Sequence, residues 1–360
     1  MSACIYCPEE ADSLEHPLPA AFGEFEAAPL LENRICKTCN NKRLGVLDEQ
    51  LTRCGPEAVL RKFFGVQGRA THDNVNLHHR GSAGGRRLEM KAFDKSLGAE
   101  VELELKGGRE VRQLCQIVFV EASGKTHHLP IPHDLRDPVK LLAAYRKLGV
   151  TDPANAKVIL ICDPEEGVWL KPLINAAWPK VTFGEGTPGA TNYEQGAVIE
   201  IRVTLRYFQA IAKIGFHYFL TQFPEFNGSE PCFSDIRSFI IAETSPVGLA
   251  KKFVGKRRNP LLGNMSDGAR PDGWVGHVVS AERASDACMA HVQLFICEEY
   301  PAPAYTVRLA TTDNNAVVRG SGHAYIYFEE RPKGRFSGRA YSLTLGQIAA
   351  PSMPLQSIFT

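Results

Sequence analysis

The sequence is most informative first for what it lacks. No apolar run reaches the roughly 18 residues that a membrane-spanning helix needs, which excludes that class of protein. Neither sign of charge is in excess: 41 Lys and Arg stand against 40 Asp and Glu, a formal net charge of +1. A polybasic coat is therefore excluded, and any contact with nucleic acid has to come from local clusters. No P-loop and no internal repeat is present. Met1-Ser2-Ala3 runs straight into Cys4, so no secretory leader is read, and a cytoplasmic location is expected. With 44% hydrophobic and 22% charged residues over 360 positions, the chain can bury at least one sizeable core.

Cysteine is the residue that is not scarce. Four of the ten stand in two C-x-x-C pairs, Cys4-Ile5-Tyr6-Cys7 and Cys36-Lys37-Thr38-Cys39. Two such pairs hold four thiolates at the spacing of a tetrahedral zinc site, the commonest role being structural. By itself that makes a ribbon or treble-clef module with no obligatory chemistry. The other six, Cys54, Cys115, Cys162, Cys232, Cys288 and Cys297, are scattered and mostly set among apolar neighbours, as expected of buried, reduced thiols.

Between and beside the zinc pairs lie polar residues of a particular kind. Glu15 and His16 are adjacent, so in an extended segment their side chains point to opposite faces. Pro17 and Pro19 stiffen the exit from that segment. Asn33 precedes the second pair, and Asn40 follows it directly. Asn40 opens a helix, 40–51, in which Leu44, Leu47 and Leu51 recur on one side while Lys42, Arg43, Asp48 and Glu49 stay polar.

The pattern C-x2-C, Glu-His-x-x-Pro, Asn-x-x-C-x2-C-Asn resembles the HNH endonucleases with a ββα-metal core, in their zinc-braced form. The resemblance covers residues 1 to about 54. It implies that His16 is the general base that activates water and that Asn33 orients it. Glu15 is then a ligand of the catalytic metal. Asn40 stands where many members have the final metal-binding His, giving an H-N-N variant that keeps an oxygen ligand for Mg²⁺ or Mn²⁺. The implied reaction is metal-assisted phosphodiester hydrolysis of DNA. A setting in bacterial defence against foreign DNA follows from the resemblance alone, as does the possibility of a homodimer.

Farther along, 56–66 reads as a short helix with Pro56 in its first turn. Strand patterns fall at 87–93, 100–105 and 117–120, a capped helix at 137–147 ending at Gly149, a strand at 157–162 and another at 197–204. The stretch 205–223 is strongly helical and mostly apolar, yet Arg206, Gln209, Lys213 and His217 trace one narrow polar stripe along it. Such a stripe must find partners or face a cleft. Asp235 and Arg237 of the following helix, 231–244, are the candidate partners, and a second active surface is the alternative. The densest basic cluster is Lys251, Lys252, Lys256, Arg257 and Arg258. Together with Lys42 and Arg43 it forms the candidate phosphate-contacting set, although clusters of this size are also often just solvated. Beyond a Pro/Gly/Asn-rich stretch the remainder is β-rich.

The expected architecture is thus α+β: a treble-clef-like ββα-metal domain over 1–66, a mixed domain with antiparallel sheets over 86–250, and a β-rich region over 275–360. The expected function is a metal-dependent endonuclease carrying structural Zn²⁺. The competing expectation is a zinc-dependent nucleic-acid-binding or regulatory module without turnover.

Overall fold

The protein is described from a computed structural model covering residues 2–66, 90–94, 99–106, 110–131, 137–150, 156–178, 198–199, 203–244, 247–257, 261, 275–284, 286–296, 302–311, 318–327 and 336–344. It is a mixed α and β structure dominated by antiparallel sheets. Among the described residues no helix is long and apolar enough to cross a membrane.

The chain opens with β1 (Leu14–Glu15), β2 (Glu24–Glu26) and β3 (Leu31–Glu32). Strands β1 and β3 pair antiparallel, with Leu14 opposite Glu32 and Glu15 opposite Leu31. A helical run over 39–54 follows, made of a wide π-type turn (Cys39–Leu44), α1 (Gly45–Glu49) and a second wide turn (Gln50–Cys54). Its Leu44, Leu47 and Leu51 are buried, as their helical spacing requires. Helix α2 (Pro56–Phe63) starts on the proline, whose missing N–H costs nothing in a first turn.

Next come β4 (Met90–Asp94), β5 (Ala99–Lys106), β6 (Glu110–Gln113), β7 (Gln116–Val120) and β8 (Thr126–Pro130). Helix α3 (Pro138–Arg146) is capped by Asp137, whose carboxylate accepts from the N–H groups of Val139 and Lys140, both at 2.9 Å. It is left through Gly149 at φ 67°, a left-handed conformation that suits glycine. Strand β9 (Lys157–Ile161), helix α4 (Pro164–Ala177) and the short β10 (Val198–Ile199) complete this stretch. Two antiparallel sheets result, ordered β10-β4-β5-β6 and β8-β7-β9. Helices α3 and α4 share a core with the second through Ile117, Phe119, Leu129, Leu141, Leu170 and Ile174.

The chain continues through α5 (Leu205–Gln222), α6 (Ser234–Ile241), α7 (Val247–Phe253) and β11 (Val254–Lys256). The last strands are β12 (Gly276–Arg283), β13 (Ala287–Ile296), β14 (Ala304–Thr311), β15 (Arg319–Tyr327) and β16 (Phe336–Thr344). They form a seven-stranded sheet, β11-β14-β13-β12-β15-β16-β2, in which β2 from the N-terminal region lies parallel to β16.

The division into units differs from the expected domains at 1–66, 86–250 and 275–360. One compact unit comprises Met1–Arg86 together with Arg202–Thr360, and the other is Arg87–Ile201. The reason lies in α5. Of its 18 residues 13 are buried, too many for a helix that covers one face of a small domain. Ile211, Phe216 and Phe219 share one hydrophobic core with Ile5, Leu18, Phe22 and Ile35 of the N-terminal region and with Val292 and Val307 of the sheet. Gly215 is where helix and sheet touch most closely: a Cβ there would lie 3.0 Å from Val307 Cγ2 and 3.1 Å from Ala290 Cβ.

Helix α2 is also tied to α5. The Tyr207 hydroxyl donates to Glu57 Oε1 at 2.6 Å, while Glu57 Oε2 has no hydrogen-bond partner among the described residues. Burial pushes the Glu57 carboxyl up to about 7, the Tyr207 bond only partly opposing it. A carboxyl whose folded-state pKa is raised is protonated in both states at low pH. It costs stability as pH climbs from the ordinary carboxylate range through about 7, and the cost is then constant. Glu57→Gln keeps the shape and removes the charge. The variant should melt above the wild type at pH 8 and level with it at pH 4.5, as read from thermal unfolding across that range.

Candidate metal centre and buried charge network

The two cysteine pairs meet. The sulfurs of Cys4, Cys7, Cys36 and Cys39 all lie within 4.8 Å of one another. Cys7 Sγ is 3.5 Å from the sulfurs of both Cys36 and Cys39. A tetrahedral zinc with bonds of about 2.3 Å needs sulfur–sulfur edges of roughly 3.8 Å, so the set fits that ion. Backbone geometry prepares it: the Tyr6 N–H donates to Cys4 Sγ at 3.4 Å, and the Cys39 N–H to Cys36 Sγ at 3.3 Å. The Ile5 N–H to Arg34 carbonyl bond at 3.0 Å locks one knuckle onto the other. Burial drives the Cys36 thiol up to about 11 and Cys39 higher still, so a dication is what would favour the thiolates in this pocket.

The short strand β1 sorts its neighbours by face. Ser13 and Glu15 are buried, Leu14 is exposed and His16 is half-buried, the alternation that a strand imposes. Ser13 is the meeting point of the two asparagines. The Asn33 N–H donates to the Ser13 carbonyl at 3.2 Å, and Asn40 Nδ2 donates to Ser13 Oγ at 3.4 Å. Ser13 Oγ in turn donates to the Ile35 carbonyl at 2.6 Å. Asn33 sits at φ 51°, a left-handed turn conformation that asparagine tolerates.

Glu15 goes elsewhere. Its Oε1 lies 2.5 Å from Lys213 Nζ and 3.3 Å from His217 Nδ1, both from α5. Lys213 Nζ also donates to both oxygens of Asp48, at 2.8 and 3.0 Å. Lys213 and His217 are fully buried, and Glu15 is only 4% exposed. The Tyr6 hydroxyl lies 2.8 Å from His217 Nε2. Burial is the largest influence on His217 and depresses it, which favours the neutral imidazole. Burial alone would raise Glu15, but the Lys213 ammonium and His217 outweigh it and bring the carboxyl down to about 2. Burial likewise works against the Lys213 charge, and Asp48 and Glu15 more than offset it, so its pKa lies above the ordinary lysine value.

The partners expected for the α5 stripe are thereby corrected. Asp235 pairs with Lys252 at 2.8 Å, and Arg237 donates to the Gly228 and Glu230 carbonyls. Lys213 and His217 look instead to the N-terminal region. Only Gln209 meets the following helix, donating to the Phe239 and Ala242 carbonyls at its C-terminal end, both at 2.8 Å. Arg206 is exposed. Tyr6 and Asp48 were not singled out by the sequence. Tyr6 is hidden between two cysteines, and Asp48 sits in an ordinary polar helix position.

Of the candidate phosphate contacts, Lys42, Arg43, Lys251 and Lys256 are exposed. Lys252 is engaged by Asp235, and Arg257 donates to His291 Nδ1 at 2.9 Å. Arg258 lies outside the described residues, as does Cys297. Among the other scattered cysteines, Cys54, Cys115 and Cys288 are buried and Cys162 half-buried, but Cys232 is exposed, against expectation.

No protein-family model, no curated protein and no solved structure matches this chain.

The zinc assignment has a direct check. The purified protein should carry a single zinc per chain by metal analysis. Cys36→Ser should lose it and melt at lower temperature, with the N-terminal region becoming sensitive to protease first.

Proposed function

We propose that the N-terminal region is a zinc-braced nuclease module of HNH type that hydrolyses phosphodiester bonds of DNA, with His16 as its general base. The observation that carries this reading is the convergence on Ser13. Two antiparallel strands lead into a helix that begins at the zinc cysteines, and Asn33 and Asn40 both bond to Ser13, three residues ahead of His16. An imidazole titrates near neutrality, so it can take a proton from water at physiological pH. In the reaction the water oxygen bonds to phosphorus as His16 takes its proton, and the bond from phosphorus to the leaving 3′-oxygen breaks.

The resemblance assigns a hard cation to Glu15 and Asn40. As arranged here the pair does not fit one, because the Glu15 carboxylate is buried and its charge is already met by Lys213. That same observation favours a second reading, a zinc-dependent nucleic-acid-binding module without turnover, in which Lys42, Arg43, Lys251 and Lys256 supply exposed positive charge.

Supercoiled-plasmid cleavage separates the two. On the nuclease reading the wild type nicks in Mg²⁺ or Mn²⁺ and not in EDTA, while His16→Ala keeps its zinc and loses about 10²- to 10⁴-fold in rate. Equal cutting by both would remove His16 from the mechanism. If neither cuts yet both retard DNA on a gel, the binding module is the function.

A further inference from the structure

We propose that Cys115 and Cys162 form a redox-active dithiol that a small-molecule disulfide oxidises, with Cys162 as the attacking sulfur and Cys115 as the resolving one. The pair lies in the unit Arg87–Ile201, which holds none of the four cysteines of the metal cluster. It is independent of the nuclease reading.

Three observations carry it. The first is register. Strands β7 and β9 pair antiparallel, and their ladder ends with Gln116 opposite Ile161, so the next residues along, Cys115 and Cys162, stand across from each other. Facing residues on antiparallel strands have Cα atoms about 4.5–5.5 Å apart, inside the span that a disulfide bridges. Strand alternation turns both cysteines to the same side. Cys115 falls in a row with Ile117 and Phe119, Cys162 in a row with Leu160 and Val158, and both rows share one core.

The second is contact. The Cys115 thiol is hydrogen-bonded to the Cys162 sulfur, and no disulfide joins them. That bond is the largest influence on both sulfurs. It lowers Cys162 below the ordinary cysteine value and raises Cys115, so the S–H of Cys115 donates and the thiolate falls to Cys162. Burial and the Glu166 and Asp163 carboxylates oppose the Cys162 thiolate without cancelling the bond.

The third is access. Cys162 is half-buried and Cys115 buried, so a small disulfide reaches Cys162 first. Cys162 directly precedes Asp163, the N-cap of the 14-residue helix α4. A Cβ built on Gly167 would lie 3.4 Å from the Cys162 sulfur, which places that sulfur against the first turn of α4, where a helix favours negative charge.

The exchange balances. The Cys162 thiolate attacks one sulfur of the small disulfide, the bond between its two sulfurs breaks, and one half departs as a thiolate that takes up a proton. Cys115 then attacks the Cys162 sulfur of the mixed disulfide, and the second half departs with the Cys115 proton. Two protein thiols are oxidised to one disulfide, and one small disulfide is reduced to two thiols.

The test uses the full-length, zinc-loaded protein, equilibrated with excess glutathione disulfide, alkylated and mapped by mass spectrometry without reduction. The wild type should yield the Cys115–Cys162 disulfide, a loss of two hydrogens that dithiothreitol reverses. Exposed Cys232 serves as the internal control, since glutathione on it shows that the oxidant is active. Cys115→Ser should hold glutathione on Cys162, and Cys162→Ser should leave Cys115 unmodified. Free Cys115 and Cys162 in wild-type protein whose Cys232 carries glutathione overturn the proposal. Glutathione that stays on Cys162 of the wild type overturns it as well, because a resolving thiol in contact would have displaced it. An adduct on Cys115 in Cys162→Ser, with none on Cys162 in Cys115→Ser, overturns the assignment of roles. The wild-type measurement decides the disulfide by itself if either serine variant fails to fold.

Discussion

A single buried ammonium organises the larger of the two units. Lys213 has no exposed surface, and the cost of taking its charge out of water is of several kcal/mol unless opposite charge is placed against it. Glu15 and Asp48 supply that charge from the N-terminal region, so the ion pairs tie α5 to the cysteine-bearing segment. His217, one helical turn on, adds a neutral link through Glu15 and Tyr6. Gln209, one turn back, satisfies the C-terminal carbonyls of α6. One row of polar residues at a spacing of four thus attaches α5 to two different neighbours, while its other faces pack on the sheet.

A second set of contacts fastens the same N-terminal segment to the sheet without any charge. The β2 strand lies parallel to β16, and Phe25 makes edge contacts with Tyr325 and His277. His277 is buried and accepts from the Phe295 N–H at Nδ1, its Nε2 lying 2.7 Å from the Tyr327 hydroxyl. That hydroxyl donates to the Phe22 carbonyl at 2.6 Å. Burial depresses His277 to about 3, so it is neutral throughout the physiological range. The N-terminal segment is therefore held by three kinds of interaction: sulfur geometry that suits a metal, a buried ion pair, and a neutral hydrogen-bonded chain.

This arrangement bears on chemistry. The Glu15 carboxylate is turned inward and its charge is met by Lys213. His16, the residue after that strand, is half-buried.

Local signals were legible in the sequence. The cysteine spacing foretold the four-sulfur cluster, leucine periodicity foretold the helix after it, and Asp137-Pro138 with Gly149 foretold both ends of α3. Each depends on residues near one another in the chain, or on donor chemistry that admits few alternatives. The polar stripe of α5 was visible too, but its partners were not. Glu15 and Asp48 lie far away in sequence, and Asp235 lay nearer without being the answer. Domain limits failed for the same reason: the sequence shows where strands and helices begin, while which of them share a core depends on long-range packing. Composition and spacing by themselves determined the element types and the four-cysteine cluster. Only tertiary structure decided that β2 joins the far sheet and that Lys213 faces Glu15, because a buried charge or an open strand edge selects its partner in space and not along the chain.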